Sequence, residues 1–109
     1  MAGVGSKIVF EDDKIKVWEF NLKAGEQTPL HTHELDYIFY VIDGAPLEVF
    51  DADGNDLGTL DLKSGDVVPI RIEGDELVVI NNPSRRVPVT HSARNTSLNN
   101  YRELLIETK

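Results

Sequence analysis

Turn signals punctuate this chain at short, nearly even intervals, and between them no stretch has both the length and the apolar period of an amphipathic helix. "KAGEQ", "DGAP", "DADGND", "KSGD", "EGD", "NNPSRR" and "TSLNN" are rich in the residues that favour turns, and the Asp53-Gly54 pair is a strong hairpin signal. The segments between them read as strands. "KIVFEDD" and "KIKVWEFNL" alternate apolar and polar residues as half-buried strands do, whereas "YIFYVI", Tyr37 to Ile42, is apolar throughout and predicts a central strand covered on both faces. Pro69 cannot donate to a ladder, so an edge or bulge is expected in "VVPIRI". "NNPSRR" is expected to be a loop, and "YRELLIE" a last strand supported by Tyr101, Leu104 and Ile106.

About eight or nine antiparallel strands follow, and they must pair face to face or close on themselves to avoid open edges. With 109 residues and no linker, repeat or low-complexity tract, residues 1–109 are expected to form one all-β domain, a small β-barrel or jelly roll.

Within that frame the histidines are the chemically distinctive residues. His31 and His33 alternate with Thr32, so on a strand both imidazoles project from one face. The third, His91 in "VPVTHSARN", belongs to another expected strand, and a closed barrel can bring it to the same interior point. Three convergent imidazoles suit a divalent transition metal, Fe, Mn, Ni, Cu or Zn, with open coordination positions. There is no cysteine, which excludes disulfides, thiolate metal sites and a cysteine nucleophile.

Eleven Lys and Arg against nineteen Asp and Glu give a net charge of −8, which disfavours nucleic acid and anionic lipid as partners. No apolar run approaches the roughly 20 residues of a membrane span, and the start lacks a signal-peptide pattern, so a cytoplasmic location is expected. Phosphate-binding glycine loops and nucleophile-elbow motifs are likewise missing from the sequence.

Gly25, His31, His33 and Gly44 fall in register with a motif of Gly, five residues, His-x-His, three or four residues, Glu, six residues and Gly; His91 and Asn95, with three residues between them, match the end of a second motif. In these residues the chain resembles a small single-domain cupin, and the resemblance runs from about Trp18 to Glu107. It implies a double-stranded β-helix, a metal held by His31, His33 and His91, and a homodimer, which the apolar edge strand "KIVF" also favours. Trp18 is read as core or as a contact with a second subunit.

Two departures from the family pattern matter. Tyr37, preceded by Asp36, stands where the metal-binding Glu is usual, so Tyr37 or Asp36 would complete the site or act as acid/base, or three histidines would hold the metal alone. An extra hairpin, "IRIEGDELVVI", also separates Gly65 from His91; a rival register would put Glu76 in place of the metal His, but His91 preserves the spacing to Asn95.

Asn95 is read as a hydrogen-bonding residue rather than a ligand. Arg71, Arg85, Arg86 and Arg94 could clamp a substrate carboxylate if they face the barrel mouth, Arg94 being the first candidate. The expected function is a metal-dependent enzyme acting on a small, anionic molecule, dioxygenase-like first and isomerase or lyase second. The alternative is a noncatalytic barrel that binds or senses a small ligand.

Overall fold

The structure is a computed structural model that describes residues 3–109. Eleven strands form it: β1 (Lys7–Glu11), β2 (Ile15–Leu22), β3 (His31–Thr32), β4 (Tyr37–Asp43), β5 (Ala45–Phe50), β6 (Asp56–Leu62), β7 (Val67–Glu73), β8 (Glu76–Val79), β9 (Arg86–Pro88), β10 (Thr90–Asn95) and β11 (Tyr101–Thr108). No helix occurs among the described residues, and so none long and apolar enough to cross a membrane. The strands make two antiparallel sheets, a seven-stranded one in the order β1-β2-β11-β4-β7-β8-β9 and a four-stranded one in the order β3-β10-β5-β6.

Strand register decides which side chains enter the space between the sheets. Trp18, Leu105, Phe39 and Val68 are cross-strand neighbours in one inward row, and Leu22 and Tyr101 pair in another. From the smaller sheet, Leu47, Val49, Ala93 and Leu62 face them, and together these residues form most of the buried core. Burying each such Leu, Val or Phe contributes about 1.5–3 kcal/mol. Trp18 also packs under Gly3 and Gly5 and donates its indole N–H to Glu107 at 2.6 Å.

The turns are made by the residues that announced them. Asp51 accepts from the backbone N–H groups of Asp53 and Asn55 across the β5–β6 turn, where Gly54 takes φ = 85°. Gly44 is required for a different reason, since a Cβ there would lie 2.5 Å from the Leu62 carbonyl and 2.7 Å from the Ser64 nitrogen.

Three expectations need correction. β4 is central, between β11 and β7, but only one of its faces is covered: Ile38 is 36% and Tyr40 46% exposed, because nothing among the described residues packs over them on the outer face of the larger sheet. Pro69 lies inside β7 without a bulge. The N and O of a residue in an antiparallel strand point to the same neighbour; the Pro69 carbonyl accepts from Ile80 just past the end of β8, so the missing N–H falls where the ladder has finished. "NNPSRR" is a loop only as far as Arg85, for Arg86 begins the short strand β9. The expected last strand is β11, whose inward residues are Tyr101, Glu103, Leu105 and Glu107, with Leu104 and Ile106 on the outer face beside Ile38 and Tyr40.

Candidate metal centre

The three histidines converge because β3 pairs with β10 in a register that sets His31 opposite His91. β3 is only two residues long, yet the pairing continues past it, with the His33 N–H donating to the Val89 carbonyl at 2.9 Å, and this turns His33 back to the same side. Ring centroids are 4.7 Å apart for His31 and His91, and 5.1 Å for His33 with each of the others. One nitrogen from each ring lies within 4.8 Å of the others, and all three side chains are buried. No other group of three or more such side chains close enough to hold a metal ion occurs among the described residues.

Backbone carbonyls fix two of the tautomers. His31 Nδ1 lies 3.1 Å from the Pro29 carbonyl and His91 Nδ1 lies 2.7 Å from the Pro88 carbonyl. A carbonyl can only accept, so Nδ1 carries the proton and Nε2 keeps a free lone pair in both rings. His33 Nδ1 is buried without a hydrogen-bond partner, which a protein interior ordinarily avoids.

Burial lowers the pKa of all three. His33 is taken down to about 2 by desolvation and then by the neighbouring His91 and His31; His91 falls to about 4 by desolvation against the opposing Pro88 hydrogen bond; His31 is lowered by burial. Neutral imidazoles with oriented lone pairs and an orphaned ring nitrogen fit a divalent transition metal better than a purely structural cluster, whose polar atoms would be satisfied.

Tyr37, at the start of β4, stacks on His33 with centroids 4.5 Å apart and planes inclined by 16°. Burial, together with the Glu103 and Glu107 carboxyls, raises its pKa well above the ordinary value, so it remains a phenol. Asp36 is exposed and used by the backbone: its Oδ1 accepts from the Ile72 N–H at 2.8 Å and its carbonyl from the Thr108 N–H at 3.0 Å, tying β4 to β7 and β11. Of the two candidates, Tyr37 is the one beside the imidazoles. Glu76 is exposed, 3.5 Å from Arg86, and lies outside the cavity, so the register with His91 is the one the fold adopts.

Arg94 is not at the cavity. It alternates with the inward Ala93 and Asn95 and pairs on the outside with Glu48 at 2.9 Å. Arg71 and Arg86 pair with Glu73, also outside, and only Arg85 of the four lines the cavity, on its exposed margin. The expectation of an anionic ligand therefore loses the arginine on which it chiefly rested. Asn95 is fully buried, donates to the carbonyls of Leu22 (3.0 Å) and Asn99 (2.7 Å) and accepts from Ser97, a bracing role away from the imidazoles.

A cavity of about 360 Å³ adjoins the cluster, within the range of small-molecule sites. Its walls are mainly apolar, including Phe39, Leu47, Leu60, Ile70, Leu77 and Leu105, and its exposed margin carries Asp61, Asn81, Asn82 and Arg85. The extra hairpin contributes directly, since β8 supplies Leu77 and Val79 to the wall. Glu103 also lines the cavity, and the sequence reading missed it. A strict period of two from Tyr101 to Leu105 in "YRELLIE" would have placed it inward.

No protein-family model and no curated protein matches this sequence. Solved structures do. A cupin domain from Bordetella pertussis Tohama I superposes with a TM-score of 0.71 at 22% identity, over 100% of this chain and 98% of that one. A conserved double-stranded β-helix protein from Klebsiella pneumoniae gives 0.58 at 16% identity over 93% and 72% of the two chains. The polyketide cyclase RemF from Streptomyces resistomycificus gives 0.54 at 18% identity, with 89% of this chain covering 56% of that one. Two sheets in jelly-roll order, an inward histidine cluster and these superpositions agree: the chain has the cupin fold.

Proposed function

We propose that this protein is a metal-dependent enzyme acting on a small molecule, with His31, His33 and His91 holding one divalent transition metal at the inner end of the cavity. The observation that carries it is the convergence of three neutral, buried imidazoles, two with Nε2 freed by backbone hydrogen bonds and one with an unpartnered Nδ1. When bound, such a metal polarises a carbonyl or activates water or dioxygen through its open positions. The chain's own residues set the surroundings: the apolar wall excludes water, and Tyr37 braces His33 and offers a phenolic proton beside it.

Oxygen-dependent cleavage is the first reaction type. Lewis-acid isomerisation, lysis or ring closure is the second, favoured by the cupin-fold neighbour named as a polyketide cyclase. Oxygen uptake by protein reconstituted with Fe(II), run against a panel of small diols and diketones, tests the first; uptake must vanish in His91→Ala. Turnover without oxygen uptake moves the assignment to the second type. Saturable ligand binding without any turnover identifies a noncatalytic binding barrel.

The protein also acts as a homodimer in this reading. The outer face of the larger sheet carries a cross-strand row of Phe10, Val17, Ile106, Ile38 and Pro69 beside Leu104, Tyr40 and Val67, an apolar surface that a second copy would cover.

A further inference from the structure

Two carboxyls point inward from β11, and they differ in what surrounds them. Glu107 is buried, takes the Trp18 indole N–H at 2.6 Å and does not line the cavity. Glu103 sits in the inner row between Phe20 of β2 and Val41 of β4, is 4% exposed, and forms part of the cavity wall. Its Oε1 accepts the Tyr101 hydroxyl at 2.6 Å, while its second oxygen has no partner among the described residues. That oxygen is not sealed in protein either, since His33 Nδ1 is the sole buried unpartnered side-chain atom there, so it opens onto the cavity.

Tyr101 is completely buried with its ring edge-on to Phe20 at 5.9 Å, which holds the carboxyl in place from behind. A carboxyl in an apolar wall costs stability, and burial lifts its pKa to about 7. Such a group, rigidly held and half satisfied, is the kind of local inconsistency that folds retain where a ligand completes it.

We infer that Glu103 is a ligand-binding residue whose free oxygen takes a hydrogen-bond donor, an ammonium or a hydroxyl, on a small molecule lodged in the cavity. This rests on reading the cavity as a ligand site and is independent of whether the imidazoles hold a metal. It also sets specificity. A ligand carboxylate is repelled at this depth by Glu103, and Asp66 adds an acidic group to the wall, so any anionic group of the ligand belongs at the margin beside Arg85.

The test uses the full chain, stripped of metal by a chelator, titrated with benzylamine, benzyl alcohol and acetophenone at about pH 8.5, where Glu103 is ionised and benzylamine is an ammonium. Binding is read from amide chemical shifts of cavity residues. Benzylamine is expected to bind at least about tenfold tighter than acetophenone, which only accepts, with benzyl alcohol between them. In Glu103→Gln the amide oxygen still accepts from Tyr101 and the NH₂ faces the cavity, so the order reverses in favour of acetophenone. Glu103→Asp, shorter by one methylene, keeps the donor preference with weaker binding, and dispersed amide spectra establish that each variant is folded.

The same order in wild type and Glu103→Gln overturns the inference, and so does failure of all three probes to saturate the wild type. The titrations are repeated in His91→Ala with Zn(II) present. Donor preference there without metal uptake, alongside a wild type that also takes up no metal, would sink the metal assignment and leave Glu103 in its role.

Discussion

Replacing Glu103 with Gln should stabilise the fold at alkaline pH, and the gain should shrink on acidification. Burial raises the folded carboxyl from its ordinary 4.5 to about 7. Between those values the folded state holds a proton that the unfolded chain has released, so wild-type stability falls as pH rises through this window and levels off above it. At about 1.4 kcal/mol for each tenfold change in proton affinity, the ionised carboxyl costs about 3 kcal/mol above pH 8. Gln does not titrate, and its oxygen can accept the Tyr101 hydroxyl as Glu103 Oε1 does.

The titratable groups around this position are Tyr101 and Glu107 on β11, Tyr37 on β4, and Asp66 before β7. They are common to both proteins, as are the histidines, and cancel in the difference. Urea unfolding followed by the fluorescence of Trp18, the one tryptophan, gives that difference directly. The stability of the variant relative to wild type should rise by about 3 kcal/mol between pH 4.5 and 8. A difference that stays constant over this range, or falls as pH rises, would refute the reasoning.

Asn95→Ala strands the buried carbonyl of Leu22 and frees the turn at Ser97 and Asn99, so a loss of about 2–4 kcal/mol and a Tm at least about 10 °C lower are expected by calorimetry. Gly44→Ala drives a Cβ into the backbone of Leu62, Lys63 and Ser64, and should cost about 2 kcal/mol or more in chemical unfolding. Tyr40→Asp places a charge on the outer apolar face, and sedimentation should show a dimer in wild type and a monomer in the variant.

Much of this architecture could be read from the sequence because its determinants are local. The aspartate and glycine turns, the alternation in β2 and the apolar run of β4 each specify their own conformation within a few residues. What escaped depended on distant partners. Nothing local in "YIFYVI" says that Ile38 and Tyr40 have no cover among the described residues, and Pro69 reads as an edge residue until the end of β8 is known. The histidine spacing pointed to a cluster, but the carbonyls of Pro29 and Pro88 that fix the tautomers are visible only in the fold. Arg94 next to Asn95 suggested a clamp, whereas strand alternation turns it outward to Glu48. Glu103 stands out only once the register of β11 is known, because in "YRELLIE" apolar residues fall on both faces and nothing local says which one enters the core.

The metal site itself can be tested by titrating chelator-treated protein with Co(II) and following the visible d–d absorption. One equivalent should saturate the signal, with bands characteristic of nitrogen coordination, and His31→Ala, His33→Ala and His91→Ala should each abolish or sharply weaken it. A titration with no saturable absorption, or one that the three substitutions leave unchanged, would contradict the assignment of these histidines as the metal ligands.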